Sequence, residues 1–247
     1  MKLTVVGCGD AFGSGGRLQT CYHVEAASTR FLIDCGATAL IGLSKFGLDT
    51  NAVETIFISH LHGDHFAGLV WWLVHAQHVA KRSVPLTVVG PEGVRARFEA
   101  AAEALFPGST GIPRRYELRF LELARERPLD VGAVRVTPFE AVHPSGATPY
   151  ALRFEVDGKV LSFTGDTEWT ETLVPAGHRA DLYIMECYQF DGVPRFHTSW
   201  KKIESQLERI GARRVMLTHM ADAMLARRCE VKDPRVLLAE DGLVLEV

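Results

Sequence analysis

Within the ten residues SHLHGDHFAG (59–68), three histidines and an aspartate, His60, His62, Asp64 and His65, fall inside six consecutive positions. No other feature of the chain narrows its fold as far. Imidazole nitrogens and carboxylate oxygens are the natural ligands of zinc and its neighbours. The residues just before them, TIFIS (55–59), form a short apolar, β-rich run. The donors therefore issue from the end of a buried strand, where the backbone is rigid enough to aim them. Gly63 is expected to provide the bend that turns alternate side chains toward one point.

The same arrangement recurs. FEAV ends in His143, LSFTG ends in Asp166 and VMLT ends in His219. Each is a strand followed at once by a metal-capable residue. Together with the cluster they make seven donors, more than one tetrahedral ion can use, so the count suits two ions sharing a ligand. A carboxylate can bridge with its two oxygens, and Asp166 is the candidate. His75 and His78 lack such partners and are read as helix-surface or core-edge residues, as are His23 in a strand and His178 in a loop.

Around this site the sequence predicts one α/β domain spanning 1–247, with sheets packed in layers and helices outside. A hydrophobic content of 47% is enough for a full core, and a net charge of −3 gives no overall pull toward nucleic acid or anionic membrane. The apolar run FAGLVWWLV (66–74) is too short to span a bilayer. The N-terminus reads as a strand rather than a signal peptide, so a cytoplasmic, non-membrane protein is expected. Five cysteines, 8, 21, 35, 187 and 229, stand singly and are expected as reduced, buried small hydrophobes.

Twelve strand-like runs are separated by three helical ones. The helices are expected over 66–80, over 91–106 with Val94, Phe98, Ala101 and Leu105 as its stripe, and over 199–210 with Trp200, Ile203, Leu207 and Ile210. Trp71, Trp72, Phe98 and Trp200 are read as core or groove wall. VDGKV (156–160) carries the Asp-Gly pair of a tight hairpin.

The set HLHGDH, His143, Asp166 in FTGDT and His219 in LTHM resembles the metallo-β-lactamase superfamily. GCGDAFGSGG and FLIDCG resemble its N-terminal strands, so the likeness runs along almost the whole chain. It implies a four-layer αββα sandwich, two mixed sheets face to face with helices outside. It also implies a dinuclear site in which His60, His62 and His143 hold one divalent ion, Asp64, His65 and His219 a second, and Asp166 bridges. Zinc is the expected metal, with Mn²⁺ or Fe²⁺ as alternatives.

Antibiotic-hydrolysing members commonly carry a cysteine where Asp166 stands, and flavodiiron oxidoreductases an HxExD where this chain has HLHGD. Glyoxalase II and lactonases keep the ligands found here. The segment FHTSWKKIESQLERIGARRVMLTHM (196–220) is most similar to the ribonuclease Z branch, which places a histidine, here His197, ahead of a helix leading to the last ligand. Only 22 residues lie between His143 and Asp166, leaving no room for the long tRNA-gripping arm usual in that branch. The resemblance thus implies a phosphodiesterase acting on a small-molecule or short nucleotide substrate ahead of tRNA, with a homodimer compatible. The alternatives are a thioester or lactone hydrolase and a metal-binding protein without turnover.

In the phosphodiesterase reading a metal-bridging hydroxide is the nucleophile. Asp64 serves both as ligand and as the group that orients or deprotonates it, and His197 donates the proton to the leaving oxygen. The first-turn amides of the helix after Ser199, with Lys201 and Lys202, would attract an anion. Asp34, closing the strand FLID, is the candidate partner for the outer N–H of a ligand histidine. The glycine-rich GCGDAFGSGGR (7–17) is read as a flexible turn at the site mouth.

Overall fold

The computed structural model describes residues 1–247. Its strands are β1 (Lys2–Gly7), β2 (Cys21–Glu25), β3 (Arg30–Ile33), β4 (Thr55–Phe57), β5 (Leu86–Gly90), β6 (Leu118–Glu122), β7 (Leu129–Val131), β8 (Val134–Glu140), β9 (Tyr150–Val156), β10 (Lys159–Phe163), β11 (Leu182–Glu186), β12 (Val215–Thr218), β13 (Val236–Leu238) and β14 (Val244–Glu246). They form two seven-stranded sheets, ordered β14-β1-β2-β3-β4-β5-β6 and β13-β12-β11-β10-β9-β8-β7.

Both sheets are mixed in the same way. In the first, β14 through β3 pair antiparallel and β3 through β6 parallel. In the second, β7 through β10 pair antiparallel and β10 through β13 parallel. The β9–β10 hairpin closes through Asp157 (φ 49°) and Gly158 (φ 72°), the two left-handed residues that an Asp-Gly turn supplies.

The helices are α1 (Ala39–Lys45), α2 (Gly63–Phe66), α3 (Gly68–His78), α4 (Val94–Leu105), α5 (Leu173–Gly177), α6 (Trp200–Glu204), α7 (Leu207–Ile210) and α8 (Asp222–Arg227). None is long and apolar enough to cross a membrane. Alternation along the strands divides the apolar residues among three cores. Between the sheets lie Tyr22, Phe31, Phe57, Phe154 and Phe163 among others; Phe57 and Phe154 meet edge to face at 5.1 Å, Tyr22 and Phe163 at 5.4 Å. Outside the first sheet, Leu32, Ile56 and Val88 pack on Trp72, Val94 and Phe98 of α3 and α4. Outside the second, Tyr183 and Met185 pack on Trp200, Ile203 and Ile210. Each buried aromatic or branched side chain contributes roughly 1.5–3 kcal/mol. This is the αββα sandwich expected from the sequence.

Several local expectations need correction. The helix expected over 199–210 is broken into α6 and α7 at Ser205 and Gln206, and that over 66–80 is preceded by the separate turn α2. Cys8, Cys21, Cys35 and Cys187 are buried thiols, but Cys229 is exposed. It sits in a short 3₁₀ turn after α8, with no apolar layer to enter. Trp72, Phe98 and Trp200 are core residues, while Trp71 is partly exposed and packs edge-on against Phe106.

Candidate metal centre

The seven predicted donors converge at one edge of the sandwich, beyond the C-terminal ends of their strands, where parallel α/β sheets usually place ligands. His60 follows β4 and Ser59; His62, Asp64 and His65 run on into α2. His143 follows β8, Asp166 follows β10 and His219 follows β12 directly. His60, His62 and His143 each bring one donor atom within 4.8 Å of the others, and so do Asp64, His65, Asp166 and His219.

Individual spacings are tighter. The Nε2 of His65 lies 3.3 Å from Asp64 Oδ2 and 3.2 Å from Asp166 Oδ1. His219 Nε2 lies 3.3 Å from Asp64 Oδ2 and 3.2 Å from Asp166 Oδ2. Donors about 2.0–2.2 Å from a tetrahedral ion stand about 3.3–3.5 Å apart, so these spacings suit a divalent cation. Asp166 reaches toward the other group as well, with Oδ2 at 3.9 Å from His60 Nε2 and 3.8 Å from His143 Nε2.

The outer nitrogens of three histidines are fixed by the protein. His65 Nδ1 donates to Asp34 Oδ2 at 2.6 Å, and the Ser59 N–H and hydroxyl donate to the same carboxylate at 2.7 Å each. His143 Nδ1 donates to the Phe196 carbonyl at 2.9 Å. His60 Nδ1 meets the Ser59 hydroxyl at 3.1 Å. With those nitrogens occupied, the opposite nitrogens carry the lone pairs. His60 Nε2, His65 Nε2 and Asp166 Oδ1 are buried without any hydrogen-bond partner. Buried polar atoms are rarely left so, and a cation is the partner that would satisfy a lone pair on each.

Charge points the same way. Asp34, Asp64, Asp166 and Glu186 are all buried, yet their only ionic partners are imidazoles; no lysine or arginine reaches them. Burial pushes the Asp64 carboxyl up, but His65 and His219 outweigh it and hold it well below the usual range. Burial alone would depress His219; Asp166 and Asp64 drive it up to about 9. Burial without a dominant carboxylate keeps His60 far below the ordinary imidazole value.

His197 stands beside this set, with a donor atom within 4.8 Å of those of His143 and Asp166. Its Nδ1 donates to Glu186, 3.2 and 3.3 Å from the two oxygens, and its ring stacks on Tyr188 at 4.5 Å. Its Nε2 is left for a ligand. Burial would lower the His197 pKa, and Glu186 outweighs it and raises it. Burial in turn raises Glu186, which also accepts the Thr167 N–H.

Glu186 and Tyr188 escape a reading of the sequence. Glu186 left one signal: a glutamate closing the apolar strand DLYIMEC, where an unpaired carboxylate would be costly. Tyr188 left none. The cavity over the centre, about 340 Å³, is also lined by Asp10, Phe12, Tyr188 and His197.

Two local expectations need correction here. Gly63 does not bend the chain: it opens α2 at an ordinary φ, and a Cβ there would meet only Ala67 Cβ at 3.8 Å. The first two amides of α6 are not free for an anion, because Trp200 and Lys201 N–H donate to the Gln189 and Phe190 carbonyls at 2.9 Å each. The loop after β1 lies at the cavity mouth as expected, but it is shaped by Asp10. That carboxylate accepts the Ser14 N–H at 2.9 Å and the Ser14 hydroxyl at 2.7 Å.

Comparison with known proteins places this arrangement. Residues 1–243 match the family model described as anti-Pycsar protein Apyc1. The chain belongs to that family. Among curated proteins it is similar to the probable metallo-hydrolase YhfI of Bacillus subtilis, 24% identical over the whole of both chains. It is 26% identical to ribonuclease Z of Halorubrum lacusprofundi, over 100% of this chain and 97% of that one. The YhfI crystal structure superposes with a TM-score of 0.78 at 24% identity over 99% of each chain. The short form of human tRNase Z gives 0.77 at 24% identity, over 100% of this chain and 99% of that one. The chain is thus a metallo-β-lactamase-fold, metal-dependent hydrolase, most similar to the ribonuclease Z-like branch.

Proposed function

We propose that the chain is a two-cation phosphodiesterase acting on a small-molecule or short nucleotide diester. His60, His62 and His143 would hold one divalent ion, Asp64, His65 and His219 the other, and Asp166 would be shared, as its reach toward both groups supports. Zinc suits these nitrogen and oxygen donors. Bound there, divalent cations supply a water acidified from about 15.7 to near ~7 and a positive field for a phosphate.

The protein's own groups supply the rest. Asp64 Oδ2 is engaged by His65 and His219, while Oδ1 has no hydrogen bond within the protein and Asp64 lines the cavity. It can orient the attacking water and take its proton. As the oxygen–phosphorus bond forms, the opposite ester bond breaks and its electron pair leaves on an alkoxide. His197, aligned by Glu186 and stacked on Tyr188, protonates that oxygen.

The His197–Glu186 pair beside the donor set carries this reading. A poor alkoxide leaving group needs a positioned acid, whereas the thiolate of a thioester departs without one. The tight β9–β10 turn leaves no tRNA-gripping arm between His143 and Asp166, which supports a small substrate although relatives are named ribonuclease Z.

The test is a hydrolysis panel of alkyl phosphodiesters, bis-p-nitrophenyl phosphate, thioesters and lactones with Zn²⁺ or Mn²⁺. Turnover of diesters is expected. His197→Ala should lower the rate on alkyl diesters by about 10²–10⁴-fold, and much less where the leaving group departs without a proton, with metal content intact. Turnover of thioesters or lactones alone would replace this reading with the carboxyl-hydrolase one.

A further inference from the structure

A second cavity, of about 510 Å³, shares His197 as a lining residue with the cavity over the metal centre. One wall is Trp169, three residues beyond Asp166; another is the Gly192–Pro194 turn; Lys201 and Lys202 of α6 close a third. Trp169 is held by its Nε1–H, which donates to Glu171 Oε1 at 3.2 Å. The two lysines differ. Lys201 is paired with Glu204 at 2.8 Å. Lys202 has no carboxylate within 4.0 Å and sits over the Trp169 ring, 5.3 Å from its centroid. Glu168 also lines the cavity, and its carboxylate makes no ion pair or hydrogen bond with the protein. The cavity thus offers an indole with a cation over one face, a cation paired with no carboxylate, and a free acceptor.

The position of the proton donor gives this space a meaning. A group that protonates the leaving oxygen must touch it, so whatever that oxygen carries continues past His197. The volume falls within the range of small-ligand sites. We propose that this cavity is the subsite for the leaving group, and that it selects a nucleoside there. Trp169 is the platform on which the base stacks, Glu168 accepts from sugar hydroxyls or a base amino group, and Lys202 attracts a phosphate on that nucleoside. The proposal rests on the phosphodiesterase reading and adds to it what stands on the leaving side.

Two substrates that share the retained nucleotide test it: a dinucleoside monophosphate, whose leaving group is a nucleoside, and the methyl ester of the same nucleotide. The wild-type chain should favour the dinucleoside in kcat/KM. Base–aromatic stacking is worth about 1–3 kcal/mol, so Trp169→Ala should cut that preference by about 5- to 150-fold, chiefly through KM. Trp169→Phe should restore most of it. A preference unchanged in Trp169→Ala, or never present, overturns the proposal. If neither diester is cleaved, the phosphodiesterase reading fails, and a second readout still decides this one. Titrating the chain with a nucleoside 5′-monophosphate should quench tryptophan fluorescence, and Trp169→Phe should abolish the quench while keeping the wild-type melting profile. No quench in the wild-type chain would overturn the subsite.

Discussion

Gly36 is where the fold and the metal centre press on each other, and replacing it with alanine should dismantle the site while leaving the sandwich. A methyl at Gly36 would lie 2.3 Å from the Asp64 carbonyl oxygen and 2.8 Å from Gln19 Cβ. The segment Asp34–Gly36 also anchors the ligand loop: Cys35 N–H donates to the His65 carbonyl at 2.7 Å, and Gly68 N–H to the Cys35 carbonyl at 2.9 Å. A close carbon–oxygen contact is about 3.3 Å, so the Asp64 carbonyl must retreat by about 1 Å. That is half of a ~2.0–2.1 Å metal–ligand bond, too much for Asp64 and His65 to keep a shared ion. Overpacking of this kind costs about 1–3 kcal/mol; at about 2–4 °C per kcal/mol for a chain this size, Tm should fall by about 2–12 °C. A 1 Å misplacement can cost on the order of 10²-fold in rate. Metal content after dialysis, measured by mass spectrometry beside calorimetry, reads both effects. Gly63→Ala, whose methyl meets only Ala67 Cβ, is the control and should keep wild-type metal content. If Gly36→Ala also kept wild-type metal content and melting, the close approach would not constrain the centre.

Four further outcomes follow from the same contacts. Asp34→Asn keeps the shape but weakens the bond to His65 Nδ1; metal affinity, measured by chelator competition, should fall about 10–100-fold, and unaltered affinity would deny Asp34 that role. Glu186→Gln should slow cleavage of alkyl diesters within the ~10²–10⁴-fold that a positioned acid provides, without loss of metal; an unchanged rate would show that His197 needs no orienting group. Stripping metal should lower Tm by about 8–16 °C, since saturation at about 1,000 Kd adds ~4.1 kcal/mol; an unchanged Tm would mean that the folded chain gains nothing from the ions. Burial holds the His23 pKa below the ordinary imidazole value, against Glu25 and with Lys2 and Arg30 nearby. The stability this reflects is present above about pH 6.5 and is lost as pH falls toward the folded pKa; chemical denaturation should show a smaller loss between pH 7 and pH 5 in His23→Leu than in the wild-type chain, and parallel curves would refute it.

What could be read from the sequence, and what could not, divides along physical lines. Strand ends carrying His143, Asp166 and His219 were legible because a strand fixes the direction of the residue that follows it, and the sandwich because apolar alternation is local. The short strands Leu129–Val131 and Val236–Leu238 and the helices Ala39–Lys45, Leu173–Gly177 and Asp222–Arg227 were not, since a few residues hold too little periodicity and form only because neighbours cover them. Gly63 drew attention by standing among ligands, yet the glycines that matter are Gly36 and Gly68. A methyl at Gly68 would lie 2.2 Å from the Gly36 carbonyl oxygen. That crowding comes from two segments about thirty residues apart, which no local pattern encodes. Glu186 was hidden for the same reason: its partner His197 meets it only after Tyr188–Phe196 folds back.

The backbone adds a last constraint. Asp34 (φ 57°), Phe196 (φ 63°) and His219 (φ 55°) all adopt the left-handed region without being glycine, at roughly 1–3 kcal/mol each when the surroundings impose it. Glycine would relieve the strain but would delete the carboxylate that holds His65 or the imidazole that faces Asp64 and Asp166. At Phe196 it is the carbonyl that matters, since it accepts from His143 Nδ1. Each strained residue is pinned: Asp34 by Ser59 and His65, His219 by its N–H to the Cys8 carbonyl at 3.0 Å. Three of the seven non-glycine residues with positive φ thus sit at the edge of the sandwich that gathers the donors. That edge combines strained backbone with buried carboxylates and unpartnered nitrogens, and the last two become less unfavourable when a divalent cation is bound among them.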